Sequence, residues 1–523
     1  MSFIYDNLDR VTATIAADGS RISTAYDLLG KVASSTDILG RVTTMEYDLM
    51  GRLATISYSD GTGESRSYDD EGRLTGVLDR GGRRTSFLHD PAGRPLVTTY
   101  PDGSSTTSTY DNAGALATST DARGGTTTHA YDGAGRRTST IDPLGNGLTL
   151  THDESGNQSS FTDARGNTAS FTYDALGRLT TTTHADGTTS STTYDALGRR
   201  VAETDQAGVT TEFDYDPLGR LIRVKDALEQ VTSYTYDEVG NRVSRTDANG
   251  RTTRFEYDLL GRRTARILPD GSRESMAYNA GGTLASHTDF NGVKRTFEYD
   301  ANRRLVRRAY PSGSDVTFTY TPTGQRATAT DGRGTTSYTY DVRNRLVEKA
   351  DPAGNKLSYT YDAEGSVTRL TATVGTEVYT MTYSYDAGGR LTRVTDSQAG
   401  ESTLGYDPNG NWSHLALPNS ITTSYTYDAV NRLTALASHT PLGDVLQSYQ
   451  YTLGPTGNRT GISEPDGTSR HYAYDDLYRL TQDRVTDQAG ELVYQRDFIY
   501  DSVGNRLQQV LDEGGGPTTI ASS

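Results

Sequence analysis

The sequence repeats itself every 21 residues from residue 5 to residue 320, and this period limits the possible folds more than any other feature. Of the 16 positions reached from Tyr5 in steps of 21, fourteen hold Tyr, and the other two hold His89 and His152. The next residue is Asp at fourteen of these positions, and the residue four after the anchor is Gly at fourteen. A fixed period of this length predicts a repeat architecture rather than a set of ordinary globular domains.

Beyond residue 320 the period loosens but persists. The later anchors follow at spacings of 20 to 26 residues and bring the count to 24 units; they are Tyr340, Tyr361, Tyr385, Tyr406, Tyr427, Tyr451, Tyr474 and Tyr500. We therefore predict regular repeats over residues 1–340, less regular repeats of the same array over 341–510, and a flexible tail over 511–523.

Each unit contains two turn signals. The first, which we call the YD turn, runs from the anchor Tyr and its Asp to the Gly four residues after the Tyr. The second, the mid-unit turn, ends at a Gly seven residues before the next anchor, as in Asp163–Gly166 or Pro269–Gly271. Gly tolerates positive φ, and Asp bonds nearby backbone amides, so both clusters predict tight turns.

The residues between the turns predict short strands. They are rich in Thr, Val, Tyr, Phe and Arg, and no helical period interrupts them. In the stretch 251–258, Thr253, Phe255 and Tyr257 face one way, while Arg254 and Glu256 face the other. The unit is then a β-hairpin with an aromatic and a polar face, and about 48 strands follow from 24 hairpins. Because open twisted sheets rarely exceed about 10 strands, we expect an all-β sheet that winds and encloses space.

The repeated residues are assigned structural roles. Tyr forms an aromatic face, Asp holds turn amides, and Gly lets the chain reverse. The anchors that we single out are Tyr26, Asp27, Gly30, Tyr173, Asp174, Gly177, Tyr194, Asp195, Gly198, Tyr257, Asp258 and Gly261. The Arg after the YD-turn Gly, as at Arg52 or Arg178, has two interpretations: pairing with turn Asp or neighbouring strands, which we favour, or a ladder facing a ligand.

The composition narrows the function classes. The net charge of −16 argues against a nucleic-acid partner, and the absence of Cys excludes disulfides and thiol catalysis. No apolar run approaches the length of a membrane helix, and residues 1–10 lack the features of a signal peptide. Carboxylates recur at fixed turn phases, whereas a catalytic pair should occur once. We predict no catalytic, cofactor-binding or metal-binding residues, no cofactor, and no enzymatic activity.

The pattern Y-D-x-x-G-R-L followed by D-x-x-G resembles the YD or Rhs repeat family. Copies such as YDALGRLT at 173–180 and YDALGRRV at 194–201 carry the resemblance, which covers residues 1–510. It implies a hollow, spiralling β-shell that holds a C-terminal toxin segment, or a shell acting in extracellular contact. The expected partners are a protein cargo, such as a toxin or effector, or secretion machinery, and the expected location is secreted or cell-surface.

This sequence departs from the family in two respects. We find neither the self-cleaving segment that often ends such shells nor a toxin domain after Tyr500, so we expect a fragment of a longer shell or a short product beside a larger one. Two alternatives stay open. Exposed Tyr and Arg rows, or the single Trp412, could bind carbohydrate in adhesion. The second alternative is an enzyme that cleaves itself, as the family resemblance would imply; we expect instead an unprocessed chain.

Overall fold

The computed structural model describes residues 1–514 and 516–521, and the protein is all-β. These residues form 49 strands, close to the expected 48, and contain no helix. Most strands have five or six residues, because a turn cluster closes the chain about every ten residues. The predicted hairpin array is confirmed. No helix in the described part of the chain is long and apolar enough to span a membrane.

The strands follow one another along the chain with only turns between them. The first twelve are β1 (Ser2–Tyr5), β2 (Val11–Ile15), β3 (Arg21–Tyr26), β4 (Val32–Thr36), β5 (Val42–Tyr47), β6 (Leu53–Ser57), β7 (Gly63–Tyr68), β8 (Leu74–Leu78), β9 (Arg84–His89), β10 (Pro95–Thr99), β11 (Ser105–Tyr110) and β12 (Leu116–Thr120). The next twelve are β13 (Thr126–Tyr131), β14 (Arg137–Ile141), β15 (Gly147–His152), β16 (Gln158–Thr162), β17 (Thr168–Tyr173), β18 (Leu179–Thr183), β19 (Thr189–Tyr194), β20 (Arg200–Thr204), β21 (Thr210–Tyr215), β22 (Leu221–Lys225), β23 (Val231–Tyr236) and β24 (Arg242–Thr246).

The strands of the second half continue this order, and several are longer. They begin with β25 (Thr252–Tyr257), β26 (Arg263–Ile267), β27 (Arg273–Tyr278), β28 (Leu284–Thr288), β29 (Lys294–Tyr299), β30 (Leu305–Ala309), β31 (Val316–Tyr320), β32 (Arg326–Asp331), β33 (Gly334–Tyr340), β34 (Leu346–Ala350), β35 (Lys356–Tyr361) and β36 (Val367–Val374). They end with β37 (Glu377–Tyr385), β38 (Leu391–Asp396), β39 (Gly400–Tyr406), β40 (Trp412–Ala416), β41 (Thr422–Tyr427), β42 (Leu433–His439), β43 (Val445–Leu453), β44 (Arg459–Ser463), β45 (Ser469–Tyr474), β46 (Leu480–Thr486), β47 (Leu492–Tyr500), β48 (Arg506–Asp512) and β49 (Pro517–Ala521).

The segment predicted as a flexible tail contains ordered strand. β48 extends to Asp512, and β49 pairs with it antiparallel, from Pro517 opposite Asp512 to Ala521 opposite Gln508. The β-branched residues of the PTTIA stretch favour this pairing, which the Gly-rich sequence before it obscures. Residues 515, 522 and 523 of the predicted tail lie outside the described part of the chain.

Consecutive strands pair antiparallel, and YD hairpins carry a bulge at the residue before the turn. In β43–β44 this residue is Leu453, two residues after the predicted anchor Tyr451. In the β17–β18 hairpin, Thr172 pairs with Thr181, but Tyr173 pairs with Leu179, so one residue of β18 is left over. The same shift occurs at Tyr194 and Tyr257. A bulge bends its strand and increases the local twist. The repeat therefore applies the same bend at the same place in successive hairpins.

The two faces of the sheet differ in burial as the alternation predicts. In β25, Phe255 is buried, while Arg254 and Glu256 beside it are exposed. Hydroxyl pairs join neighbouring strands, such as Thr162 with Thr168 at 2.8 Å and Thr204 with Thr210 at 2.8 Å. Among the described residues, no large side chain is fully buried. The fold therefore depends on contacts spread along the sheet rather than on a central core.

The chain divides into two compact units, each built from two segments distant in sequence. Unit 1 contains residues 1–126 and 254–382, and unit 2 contains residues 127–253 and 383–523. We call the earlier segment of each unit the upstream segment and the later one the downstream segment. The sequence division at residue 340 rests on repeat regularity, whereas this division rests on which segments touch.

Candidate functional site

The YD turn is a hydrogen-bonded cage around its Asp. At Asp174, the backbone amide donates to the carbonyl of Arg178 at 3.0 Å, and the Gly177 amide donates back to the Asp174 carbonyl at 2.9 Å. The Asp174 carboxylate accepts from the amides of Leu176 at 2.9 Å and Arg178 at 3.0 Å. The Arg178 amide, and then the Arg178 side chain, hold the pKa of Asp174 below its ordinary value against the opposing effect of desolvation.

In YD turns such as that of Asp174, the Arg after the Gly couples one repeat to the next. Arg178 donates from Nε to the Asp174 carboxylate at 2.6 Å and from Nη1 to the Asp195 carbonyl of the following repeat at 3.2 Å. Its guanidinium also lies 4.7 Å from the centre of the Tyr194 ring. The Tyr194 hydroxyl donates to the Leu179 carbonyl at 3.0 Å, back in the preceding repeat. This arrangement supports the pairing interpretation of the Arg positions over a ligand-facing ladder.

The other anchors lie in the same kind of turn. The Asp27, Asp195 and Asp258 carboxylates each accept the amides two and four residues ahead, at 2.8 to 3.0 Å. Gly30, Gly177, Gly198 and Gly261 have φ between 73° and 82°. The hydroxyls of Tyr26 and Tyr173 donate to the carbonyls of Val11 and Gln158, fifteen residues earlier. Tyr257 ends β25 at the bulge.

The turn conformation persists where Gly is absent. Among the described residues, the non-Gly residues with positive φ are Asp9, Glu229, Arg303, Asn344, Ser420, Asn431 and Tyr478, at 58° to 65°. All of them close a YD or mid-unit turn at the position that Gly holds elsewhere. The surrounding hairpins therefore impose the left-handed backbone even on residues that disfavour it.

In unit 1, YD turns of the downstream segment contact mid-unit turns of the upstream segment. Arg123 pairs with Asp362 at 3.0 Å, and the backbone amide of Ala122 donates to Glu364. Arg345 reaches Asp102 at 3.2 Å, and Arg343 lies 4.3 Å above the Tyr100 ring. These contacts join residues about 240 positions apart. The two segments of unit 1 therefore meet through turn tips rather than through strand edges.

Unit 2 is held together in the same way. Asn409 donates to Asp163 at 2.6 Å, Arg432 pairs with Asp186 at 2.9 Å, and Asn249 donates to Asp501 at 2.9 Å. The Tyr478 hydroxyl donates to the Asp205 carboxylate. Burial, followed by this hydrogen bond, raises the pKa of Tyr478 to about 12.

A cleft in unit 2 lies beside this contact. It has a volume of about 510 Å³ and is lined by Thr-rich strands of the upstream segment together with the Asp476–Tyr478 turn tip. Leu179, Val209 and Leu477 supply its apolar lining. Of the carboxylates that line the cleft, Asp205 accepts turn amides and the Tyr478 hydroxyl, and Glu203 pairs with Arg200.

In the described part of the chain, no three His, Cys, Asp or Glu residues lie close enough to hold a metal ion. Trp412, which the sequence places in an irregular stretch, begins strand β40 and packs edge-on against Tyr425 at 6.0 Å. About half of the Trp412 surface is exposed.

The sequence predicts the turns but not the distant turns that they contact. A partial signal for these contacts lies at the residue before the positive-φ position, which we call the tip residue. It is apolar at Leu29, Met50, Leu176 and Leu197 of the upstream segments. In the downstream segments it is polar at Asn302, Arg343 and Asn409, where it contacts a facing turn. The residue type at the tip does not separate all docked turns from exposed ones, because Leu477 and Val503 are apolar tips in turns that also contact the upstream segment.

Two protein-family models match the chain. Residues 144–360 and 353–515 match the family model described as Teneurin YD-shell, and residues 26–62, 68–107 and 110–146 match the RHS Repeat model. Because these matches span more than half of the chain, the protein belongs to the teneurin YD-shell family. No curated protein sequence matches the chain.

Solved structures share its fold. The crystal structure of TcdB2–TccC3–Cdc42 matches with a TM-score of 0.64 at 15% identity, covering 99% of this chain and 35% of that one. The structure of TcdB2–TccC3–TEV gives 0.61 at 16%, covering 96% and 36%, and that of TcdB2–TccC3 gives 0.58 at 17%, covering 99% and 33%. The chain thus spans about a third of the length of these structures.

Proposed function

We propose that the chain is a structural, non-enzymatic shell module that encloses or carries a separate protein segment, such as a toxin or effector. The observation that carries the proposal is the uniform array: in the turns described above, the carboxylates bind backbone amides, Arg or Asn, and no set of side chains stands apart from the repeat. A catalytic site would need a singular constellation.

The comparisons support the same proposal at the level of fold. Ninety-nine percent of the chain aligns with 35% of the chain in the crystal structure of TcdB2–TccC3–Cdc42. By analogy with that neighbour, the partner of this chain would be a protein rather than a nucleic acid, which the net charge of −16 also disfavours. The steric role of such a module is to separate its cargo from solvent and proteases, and it would act after export from the cell.

A protease-protection experiment tests this function. An unfolded reporter segment with several trypsin sites is fused to residue 523, and its rate of cleavage is compared with that of the same reporter added as a free peptide to the unfused chain. We expect cleavage of the fused reporter to be slower by about tenfold or more, as for any site digested mainly through a minor open state. Equal rates for the fused and free reporter would reject enclosure.

Electron microscopy of the unfused protein supplies the independent measurement. A shell requires an internal space wide enough for a polypeptide, and a solid particle would contradict the proposal whatever the reporter does. Intact mass after long incubation tests the non-enzymatic part, because self-cleavage would produce two fragments of constant mass.

A further inference from the structure

Unit 1 leaves one edge of YD turns uncovered. We call the turns at Asp27 and Asp48 the open YD edge; both carry two apolar residues between the Asp and the Gly. Leu28 and Leu49 are fully exposed, and Leu29 and Met50 are 81% and 75% exposed. Apolar residues repeated at one phase of a sheet edge are an association surface rather than scattered surface positions.

In the downstream segment of unit 1, by contrast, YD turns are covered by mid-unit turns. The YD turn at Asp341 contacts the mid-unit turn of Pro101–Gly103: Arg345 binds its own Asp341 through Nε at 2.7 Å and reaches Asp102 through Nη2 at 3.2 Å. Arg52 and Arg73 occupy the equivalent position in upstream YD turns and bind Asp48 and Asp69 through Nε in the same way. Unit 1 therefore shows how a YD turn can be covered: by a mid-unit turn that has an Asp before its Gly.

Unit 1 also has an uncovered edge of the complementary kind. The mid-unit turns of its downstream segment include Leu268–Gly271, Tyr310–Gly313 and Asp351–Gly354, which we call the open mid-unit edge. Pro269, Pro311 and Pro352 at these turns are exposed. Asp270 precedes Gly271 in the same Pro-Asp-Gly arrangement as Asp102, and it is exposed. The edge therefore offers apolar prolines to Leu and Met, and a carboxylate to Arg.

We propose that the open YD edge of one chain binds the open mid-unit edge of a second copy, continuing the turn-on-turn contact that already joins the two segments of unit 1. Arg52 or Arg73 would take Asp270 of the second copy as Arg345 takes Asp102, and the Leu and Met tips would cover the prolines. Because two different surfaces meet, the contact is heterologous, and each added copy presents a fresh edge. Association then proceeds beyond a dimer.

The test measures mass against concentration for the full chain by sedimentation velocity. We expect the wild type to form a series of species with increasing concentration. Leu29→Glu/Met50→Glu places carboxylates on the open YD edge, and Asp270→Lys/Pro311→Lys places cations on the open mid-unit edge. Each double variant should weaken association by about tenfold or more, as for charge repulsion at an interface centre. Leu88→Glu, at an exposed apolar position within β9 and away from both edges, should leave it unchanged.

Mixing the two double variants tests the heterologous geometry directly. Each retains one intact edge, so the mixture should associate although neither variant associates alone. A wild type that stays monomeric at every concentration would overturn the proposal. So would association that the edge variants leave intact, or variants that fail to complement each other. Circular dichroism of each variant establishes that the sheet is folded.

Discussion

At the scale of the residue, the left-handed turn position determines which side chains the array tolerates. The turn following Tyr131 contains two glycines with different backbone requirements. Gly135 has φ of 77°, whereas Gly133 lies outside the positive-φ region, and an added Cβ would meet no atom within 4 Å at either position. Crowding is thus equal at the two sites, and only the backbone conformation distinguishes them.

We therefore expect Gly135→Ala to destabilise the β13–β14 hairpin by about 1–2 kcal/mol, the cost of a left-handed L-residue. The readout is the opening free energy of this hairpin from native-state hydrogen exchange, because a repeat array need not unfold in one step. Gly133→Ala is the matched control and should be neutral or slightly stabilising, since it restricts the unfolded chain. Equal effects of the two changes would mean that the φ requirement is not what Gly135 supplies.

The residue scale is also where sequence reasoning was most effective. A spacing of 21 residues located Tyr173, Asp174 and Gly177 in the correct turn, because each role is local and involves residues within a few positions. The same reasoning could not indicate that Asn409 meets Asp163, 246 residues away. That contact depends on the sum of many small strand-to-strand rotations, which no single residue specifies.

At the scale of the element, the hairpin is stabilised by its neighbours more than by its own interior. Arg178 serves its own turn through Asp174 and the next repeat through Asp195 and Tyr194. Some units have Asn at this position: Asn157 donates to its own Asp153 at 3.0 Å, and it has no guanidinium to place over the Tyr ring of the next repeat. Natural variation along the chain thus separates the two functions of the Arg.

Arg178→Asn should keep the bond to Asp174 and lose the coupling to the next repeat. We expect amide exchange to accelerate in β19, by a free energy of about 0.5–1 kcal/mol for the lost cation–π contact, while β17 and β18 change little. Arg178→Ala removes both interactions and should accelerate exchange in all three strands. If Arg178→Asn leaves exchange in β19 unchanged, the Arg does not couple its repeat to the next one.

At the scale of the whole molecule, stability is distributed over many similar turns. Few side chains are buried among the described residues, and neighbouring repeats are joined by strand pairing and by the Arg and Tyr of their turns. In arrays of this kind the total stability is close to a sum of repeat terms and nearest-neighbour terms. A change in solution conditions that acts weakly on one turn therefore acts on the chain many times over.

Low pH is a condition that weakens many turns of the chain at once. In the turns at Asp132, Asp174, Asp195 and Asp216, the backbone amide of the Arg four residues on, and then its side chain, lower the pKa of the carboxyl below 3.8. A lowered pKa in the folded state adds stability above the unfolded value, and that stability is lost as pH falls through the folded values. The thermal midpoint should therefore stay level from pH 7 to about pH 5 and decrease steeply below about pH 4. Scanning calorimetry across this range measures it. A decrease already between pH 7 and 5 would implicate His residues that the fold holds neutral, and would contradict the assignment of acid sensitivity to the YD turns.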